Sequence, residues 1–571
     1  MIGKRQQQRE LFDVGNVYPL TLDPTSFHGQ LARAAPRLFR DADFAVFYAQ
    51  QRGRPSVPPS QLALLTLLQH EAGVSAEEAV ARSGYDLRWA AVLGRAAGEP
   101  LCAKSTLQLF RCHLILHDAV RTLFQQSIQE AKAAGLLKGT PLRIALDTKP
   151  ILGRGAVEDT YNLLATGIRQ LGSALAKPQR QQPADGAREH DLRRYFERSI
   201  KGGADLDWSD PEARQAFLTE IVTDARRLLR IAGMLLPALP QARQEAVQQA
   251  AHLLEQLLLQ DVVEPTGASG SGGSGQAEIR EGTVPGRIPS ATDPEQRHGR
   301  KSKSKGFTGH KATVAVDRES QLIVSADVLS GEAPDATAVK AQVEQVEQNT
   351  GQAVAETVGD CAYGSGATRQ EFADAKRVLI AKVPQERANG SLFSKACFVI
   401  DLQARTVTCP AGVTTQKYTP DKEGGMLFHF GTVCQTCPLR RHCTAAKGGR
   451  QIRVHPQEAL LQAARAFQQT LAGRQVLRER VVVEHRLARL GPLGIGQARY
   501  VGRQKTRFQV LLAATVANLR RTWNWGAAQA ARAGTAGLGP GPAGRYGRRW
   551  LRLRWHGMVH QHYPWAAAGA T

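Results

Sequence analysis

Two short apolar runs, each ending in a single carboxylate, constrain this chain more than any other feature. IALDTKPILGRG begins at Ile144 and carries Asp147, and AETVGDCAYGSG begins at Ala355 and carries Asp360. Both read as strands bounded by turn residues, and acids at the ends of neighbouring strands converge on a rigid backbone. A third acid, Glu484, lies in the helical stretch VLRERVVVEHRLARL that begins at Val476. At helical spacing Leu477, Arg480, Glu484 and Leu487 share one face, so Arg480 sits one turn before the acid. Three isolated acids are what a site for two divalent metals needs, with ions about 3.5–4 Å apart between attacking and leaving oxygens. Oxygen ligands suit Mg2+ or Mn2+. An arginine beside them can grip a phosphate. The plainer reading of Arg480 and Glu484 is an i,i+4 surface ion pair, stabilising by only a few tenths of a kcal/mol.

The surroundings decide which polyanion such a site would meet. Over 571 residues, 74 Lys and Arg face 51 Asp and Glu, a formal charge of +23. Phosphate neutralisation with counterion release is the usual use of such an excess, so nucleic acid is the expected partner; a merely solvated basic surface is the alternative. The polar start MIGKRQQQRELF carries no secretory signal, and no apolar run is long enough to span a bilayer, which points to a cytoplasmic, nucleoid-associated protein.

A chain of this length divides into several domains. Residues 1–137 read as helical. Ser60 precedes a helix with Leu62, Leu65 and Leu68 on one stripe, Gly73 ends it, and Ser75 with Glu78 forms a capping box for the next. The pair suits a helix-turn-helix or a small bundle, and residues 1–137 are expected to carry DNA recognition or assembly. Residues 138–163 hold the first strand. Residues 164–296 read as a helical insertion, with stripes at Leu228, Ile231 and Leu235 and at Leu253, Leu254, Leu257 and Leu258, closed by the flexible GASGSGGSG from Gly267. Strands resume at Gly306 within 297–390: a hairpin turning at Asp317 to Ser320, a helix capped by Asp335 with Val339, Val343 and Val346 inward, the Asp360 strand, and RVLIAKVP from Arg377. Residues 391–455 form a cysteine-rich insertion, 456–530 the helical end of the core, and 531–571 a basic tail. The strand and helix order is that of an α/β, RNase H-like core behind an all-α N-terminal domain.

Cys409, Cys434, Cys437 and Cys443 suit a tetrahedral structural zinc site, with His442, His429 and Cys397 as substitute ligands; unligated loop thiols are the alternative. Three basic segments could line DNA: RHGRKSKSK from Arg297, with Lys301, Lys303 and Lys305; GQARYVGRQKTR from Gly496, with Arg499, Arg503, Lys505 and Arg507; and the Arg/Trp tail from Gly544. Tyr363, just after Asp360, could stack on a displaced base.

With these pieces in order, residues 10 to 525 resemble a bacterial insertion-sequence DDE transposase of the insertion-sequence 1182 group. The likeness lies in LFDVGNVYPLTLDPTSFHGQLAR, ALDTKPILGRGAVEDTYNLL, KGFTGHKATVAVD, VGDCAYGSG and the stretch from Arg478 to Arg521. It implies catalytic roles for Asp147, Asp360 and Glu484, two Mg2+ or Mn2+ per site, and cleavage of transposon-end DNA followed by attack of the 3′-hydroxyl on target DNA. The implied partners are double-stranded DNA, namely terminal inverted repeats and target, and further copies of the chain in a dimer or larger synaptic assembly. Arg480 matches the Arg of a Tyr-Arg-Glu-Lys signature, whereas Leu477 and Gly491 depart from its Tyr and Lys. A same-fold nuclease or recombinase, or an inactive domesticated DNA-binding protein, is the competing reading.

Overall fold

The computed structural model describes residues 1–536 apart from 6–12, 18–21, 50–52, 139–140, 177–191, 198, 264–275, 283, 303 and 385–389. The glycine-serine run and the Arg/Trp tail therefore lie outside the described residues. The chain forms two compact units, Met1–Arg521 and Thr522–Thr571. In the second, the described residues 522–536 are the end of a helix, and the account below concerns the first.

The N-terminal part is helical: α1 (Phe27–Leu38), α2 (Pro59–Ala72), α3 (Ala76–Tyr85), α4 (Leu87–Leu93), α5 (Lys104–Leu116) and α6 (Val120–Ala133). Punctuation sets the ends. A proline at the first position opens α2 and Gly73, at φ 70°, closes it, while the Ser75 hydroxyl accepts from the Glu78 N–H to start α3. Ser60 lies inside α2 rather than before it, its N–H donating to Asp41 at 2.9 Å. Every residue of α2 from Pro59 to His70 is buried, so the expected single stripe is in fact a helix enclosed on all sides. The first turn of α3 presents Glu77 and Glu78, which would repel phosphate; the pair has the character of a bundle more than of a groove reader.

A six-stranded sheet follows: β1 (Leu142–Leu152), β2 (Arg297–Arg300), β3 (Gly306–Asp317), β4 (Ile323–Ser330), β5 (Val354–Gly359) and β6 (Val378–Ala381). Its order is β2-β3-β1-β5-β6, with β4 also paired to β3; β1, β2 and β4 each pair antiparallel with β3, and β1, β5 and β6 run parallel. The strand β2, built from RHGR, precedes the expected start of the strands at Gly306 because an edge strand needs only one paired side and tolerates charge. Helix α10 (Val339–Thr350) buries Val339, Val343 and Val346, as its spacing predicts, and α11 (Gly366–Asp374) stands between β5 and β6.

Between β1 and β2 stand α7 (Thr160–Ala176), α8 (Pro211–Leu235) and α9 (Gln241–Asp261), which share an apolar core of their own. Leu228, Leu254 and Leu257 are buried there, but Leu235 is exposed, because the buried stripe of α8 runs through Leu218, Ile221, Ala225 and Ala232 instead. After β6 come two small three-stranded sheets, β7 (Val399–Asp401) with β8 (Thr406–Thr408) and β9 (Thr414–Thr415), and β10 (Tyr418–Pro420) with β11 (Met426–His429) and β12 (Gln451–Val454). Helices α12 (Glu458–Gln469), α13 (Leu471–Glu479), α14 (Val481–Leu490) and α15 (Arg503–Ala536) complete the order. No helix among the described residues is long and apolar enough to cross a membrane.

Candidate active site

Sheet register and one helix bring the three acids into one region of the fold. Ile144, Ala145 and Leu146 are fully buried in β1, and the strand reaches the surface at Asp147, 19% exposed. Ala145 pairs with Val358 in the parallel neighbour β5, and adjacent strands lie about 4.8 Å apart; Asp147 and Asp360 each follow that pair by two residues, Asp147 within β1 and Asp360 just past the end of β5. Asp360 ends its strand by capping the next turn, accepting from the Ala362 N–H at 2.8 Å. Gly359 makes that turn possible, since a Cβ there would stand 2.8 Å from the Tyr363 ring.

Helix α14 packs across β1 and β3 and brings Glu484 over the sheet, 47% exposed. Arg480, at the junction of α13 and α14, ties the acids together: one guanidinium nitrogen lies 3.4 Å from Asp147 Oδ2 and the other is paired with Glu484 Oε1. The i,i+4 surface pair is thus present, but it also reaches a strand residue 333 positions earlier. A buried ion pair holds the junction, with Arg318, 4% exposed, lying 3.0 Å from Glu479 and also paired with Glu356 on β5.

Burial pushes the Asp147 carboxyl up to about 6; Asp360 and Glu484 push the same way, against the Thr148 N–H and Arg480. A carboxyl this reluctant to ionise, beside two others, calls for a cation. Among the described residues, no three His, Cys, Asp or Glu side chains stand ready-grouped as a metal site, and here the Arg480 guanidinium sits between Asp147 and Glu484.

The wider surroundings divide the expected DNA contacts. Tyr363 is fully buried, its hydroxyl held high by burial and by Asp335, Asp147 and Asp360, so the ring presents no face for base stacking. Asp335 does not cap α10; it accepts from Thr148 at 2.9 Å and from Lys311 at 2.9 Å, bracing the strand behind Asp147. Lys301, Lys305, Arg499, Arg503 and Lys505 are exposed. Arg507 is instead paired with Asp118 at 3.0 Å, close to Asp327, an intramolecular role its place in a basic run concealed. Lys303 lies outside the described residues. One cation went unremarked in the sequence: Lys149, on the Asp147 side of β1, donates to the Leu487 carbonyl at 3.4 Å and is held below the ordinary lysine range by burial and by Lys301. Strand alternation two residues after Asp147 is the signal that could have found it.

The four cysteines Cys409, Cys434, Cys437 and Cys443 line one small cavity of about 20 Å³, and all are free thiols. The Arg450 N–H donates to Cys434 Sγ at 3.4 Å. His429 is engaged by Thr419 and Gln451, and Cys397 is exposed, so neither joins this cluster.

Residues 408–523 match the family model described as Transposase DDE domain, and residues 22–113 match Transposase domain (DUF772). The first match takes in the four cysteines, Arg480 and Glu484; the second takes in α1 to α4 and most of α5. The DDE match implies an enzyme that acts on DNA. More particularly, two independent transposase matches on one chain support an insertion-sequence DDE transposase. No curated protein matches the chain.

Proposed function

We propose that the chain cleaves transposon-end DNA in a metal-dependent reaction and transfers the freed 3′-hydroxyl into target DNA. The observation that carries this reading is that Asp147 and Asp360 each follow the Ala145–Val358 pair of adjacent strands by two residues, with Glu484 brought over the sheet by a helix. The strand order, three antiparallel strands followed by two parallel ones, supports an RNase H-like core into which α7 to α9 and the cysteine-bearing sheets are inserted. The ordered sequence motifs support the insertion-sequence 1182 group.

Asp147, Asp360 and Glu484 are the residues that would hold Mg2+ or Mn2+, and the poorly neutralised, half-buried Asp147 carboxyl fits such an ion. Bound there, the metal would supply an activated attacking oxygen and stabilisation of the leaving one. Arg480 holds the carboxylates in its absence and offers its guanidinium to a phosphate when DNA arrives. Exposed Lys301, Lys305, Arg499, Arg503 and Lys505 track the backbone, and α1 to α6 take recognition or assembly.

Asp147→Asn, Asp360→Asn and Glu484→Gln should each abolish cleavage of a duplex carrying the DNA that flanks the reading frame, while leaving its binding nearly intact. Wild-type cleavage by any of them removes that residue from the site. Hydrolysis without joined target products would make the protein a nuclease instead.

Cys409, Cys434, Cys437 and Cys443 form, in this reading, a structural zinc site. The supporting observation is that all four cysteines line one cavity and the Arg450 backbone N–H is directed at Cys434 Sγ, although the four are not grouped as a ready metal site. Elemental analysis of the protein purified under reducing conditions without chelator should find about one zinc per chain; none would remove the zinc.

A further inference from the structure

Beside the three acids stands a positive site that their chemistry does not explain. Lys149 follows Asp147 by two residues and so projects from the same side of β1. The two residues lie about 7 Å apart along the strand. Helix α14 runs over them in step: Arg480, which also pairs with Glu484, meets Asp147, and Leu487, two turns after Arg480, meets Lys149. The Lys149 ammonium therefore continues the line of the acids rather than facing away from it.

Its contacts leave that charge unanswered. The Leu487 carbonyl at 3.4 Å is its one hydrogen bond among the described residues, and no carboxylate pairs with it there. The charge that bears on it is that of another cation, Lys301, which follows β2 and is exposed. Position 491 is glycine, and a Cβ built there would stand 3.4 Å from Lys149 Nζ, so the absence of a side chain keeps the ammonium uncovered. A lysine beside an acidic site with no carboxylate paired to it among the described residues, and with a second cation acting on it, suits an anion brought from outside.

We propose that Lys149, with Lys301, binds a backbone phosphate of the DNA strand being processed, next to the phosphate that the three acids act on. This rests on the transposase reading. It gives Lys149 a phosphate-binding role, distinct from the metal-holding role of Asp147, and gives the chain a lysine at the place where Gly491 supplies none.

The competing explanation is structural: a lysine capping the last carbonyls of α14. Lys149→Gln separates the two, because glutamine keeps a donor for Leu487 but not the charge. The full chain would be titrated with a short duplex taken from the flanking DNA, first unmodified and then with one phosphate at a time replaced by a neutral methylphosphonate. Wild-type protein should lose roughly 10- to 100-fold in affinity at one or two positions near the cleavage point, the scale of a charge-assisted hydrogen bond. Lys149→Gln should show that loss on unmodified duplex, be indifferent to the methylphosphonate at that position, and keep the wild-type thermal midpoint. Lys149→Arg should restore binding.

Wild-type affinity of Lys149→Gln, or an unchanged pattern of sensitivity along the strand, overturns the assignment. A lowered thermal midpoint with wild-type sensitivity to methylphosphonate also overturns it, in favour of the cap. Cleavage is read in parallel. Failure of the wild type to cut in Mg2+ counts against the transposase reading while the binding scan still decides Lys149, and failure of the wild type to bind overturns both.

Discussion

Asp147→Asn should make the metal-free protein more stable at neutral pH even as it abolishes cleavage. The Asp147 carboxyl sits at about 6 in the fold against 3.8 as its ordinary value, chiefly because it is buried. A raised carboxyl favours the fold while protonated: that contribution is complete below pH 3.8 and is lost as pH climbs through about 6. At 1.36 kcal/mol per pH unit, the loss comes to about 2–3 kcal/mol by pH 7. Asparagine stays neutral throughout and can still accept from the Thr148 N–H, which Asp147 does at 2.8 Å.

Urea unfolding of both full-length chains in chelator, from pH 4.5 to 8, reads the difference, since titrating groups away from Asp147 cancel between them. The Asn variant should gain on wild type through the window between pH 4 and 6 and stay ahead above it. Adding Mg2+ should then raise wild-type stability at pH 7.5 and leave Asp147→Asn almost unmoved, with the wild-type gain fading below about pH 6 as protons compete for the ligand. Parallel pH curves for the two chains would refute the reasoning, because they would mean that Asp147 ionises in the fold as freely as in the unfolded chain.

Other perturbations separate binding from architecture. Arg318→Ala should cost about 2–3 kcal/mol by leaving Glu356 and Glu479 unpaired, and should depress cleavage more than DNA affinity because Glu479 adjoins Arg480. Lys505→Ala should reduce the salt dependence of duplex binding by about one phosphate's worth, measured as the slope of log affinity against log salt. Arg507→Ala, which loses Asp118, should lower the thermal midpoint and leave that slope alone. Cys437→Ser should lower the zinc content of the purified protein and destabilise β7 to β12, seen as faster hydrogen exchange in residues 399–454.

What the sequence made legible was what short-range chemistry decides. The strand ending just before Asp360, the valine stripe of α10 and the caps around Gly73 and Ser75 all follow from spacing and turn residues, and the structure has them there; the first strand does not end at Asp147 as expected but runs on to Leu152, because its pairing with β3 continues to Gly309. What stayed hidden depends on partners far away in the chain. Asp335 looks like a helix cap until Thr148 and Lys311 come within 2.9 Å of it. Arg507 looks like a DNA contact until Asp118 faces it, and Tyr363 looks available until the fold encloses its ring. Lys149 reads as an ordinary strand residue because neither Leu487 nor Lys301 is near it in sequence. Local periodicity carries no information about such pairings; only sheet register and helix packing create them.

The position of Arg480 leads to a coupling between metal and DNA. In the free protein its guanidinium lies between Asp147 and Glu484, so a cation approaching those oxygens must displace it or accept its repulsion. A DNA phosphate offers the same guanidinium a stronger, bidentate partner. Once Arg480 turns to the phosphate, the carboxylates are released to the metal, and the phosphate adds its own negative charge to the site. Metal affinity should therefore rise when duplex is present, and by reciprocity duplex affinity should rise with metal by the same factor. Arg480→Ala uncouples the two: it should bind Mn2+ more tightly than wild type in the absence of DNA and gain less on adding it. Titration of Mn2+ by its relaxation effect on water protons, with and without an uncleavable analogue of the duplex and with all three acids intact, measures both quantities. Equal DNA-induced gains with and without Arg480 would show that the guanidinium does not gate the carboxylates.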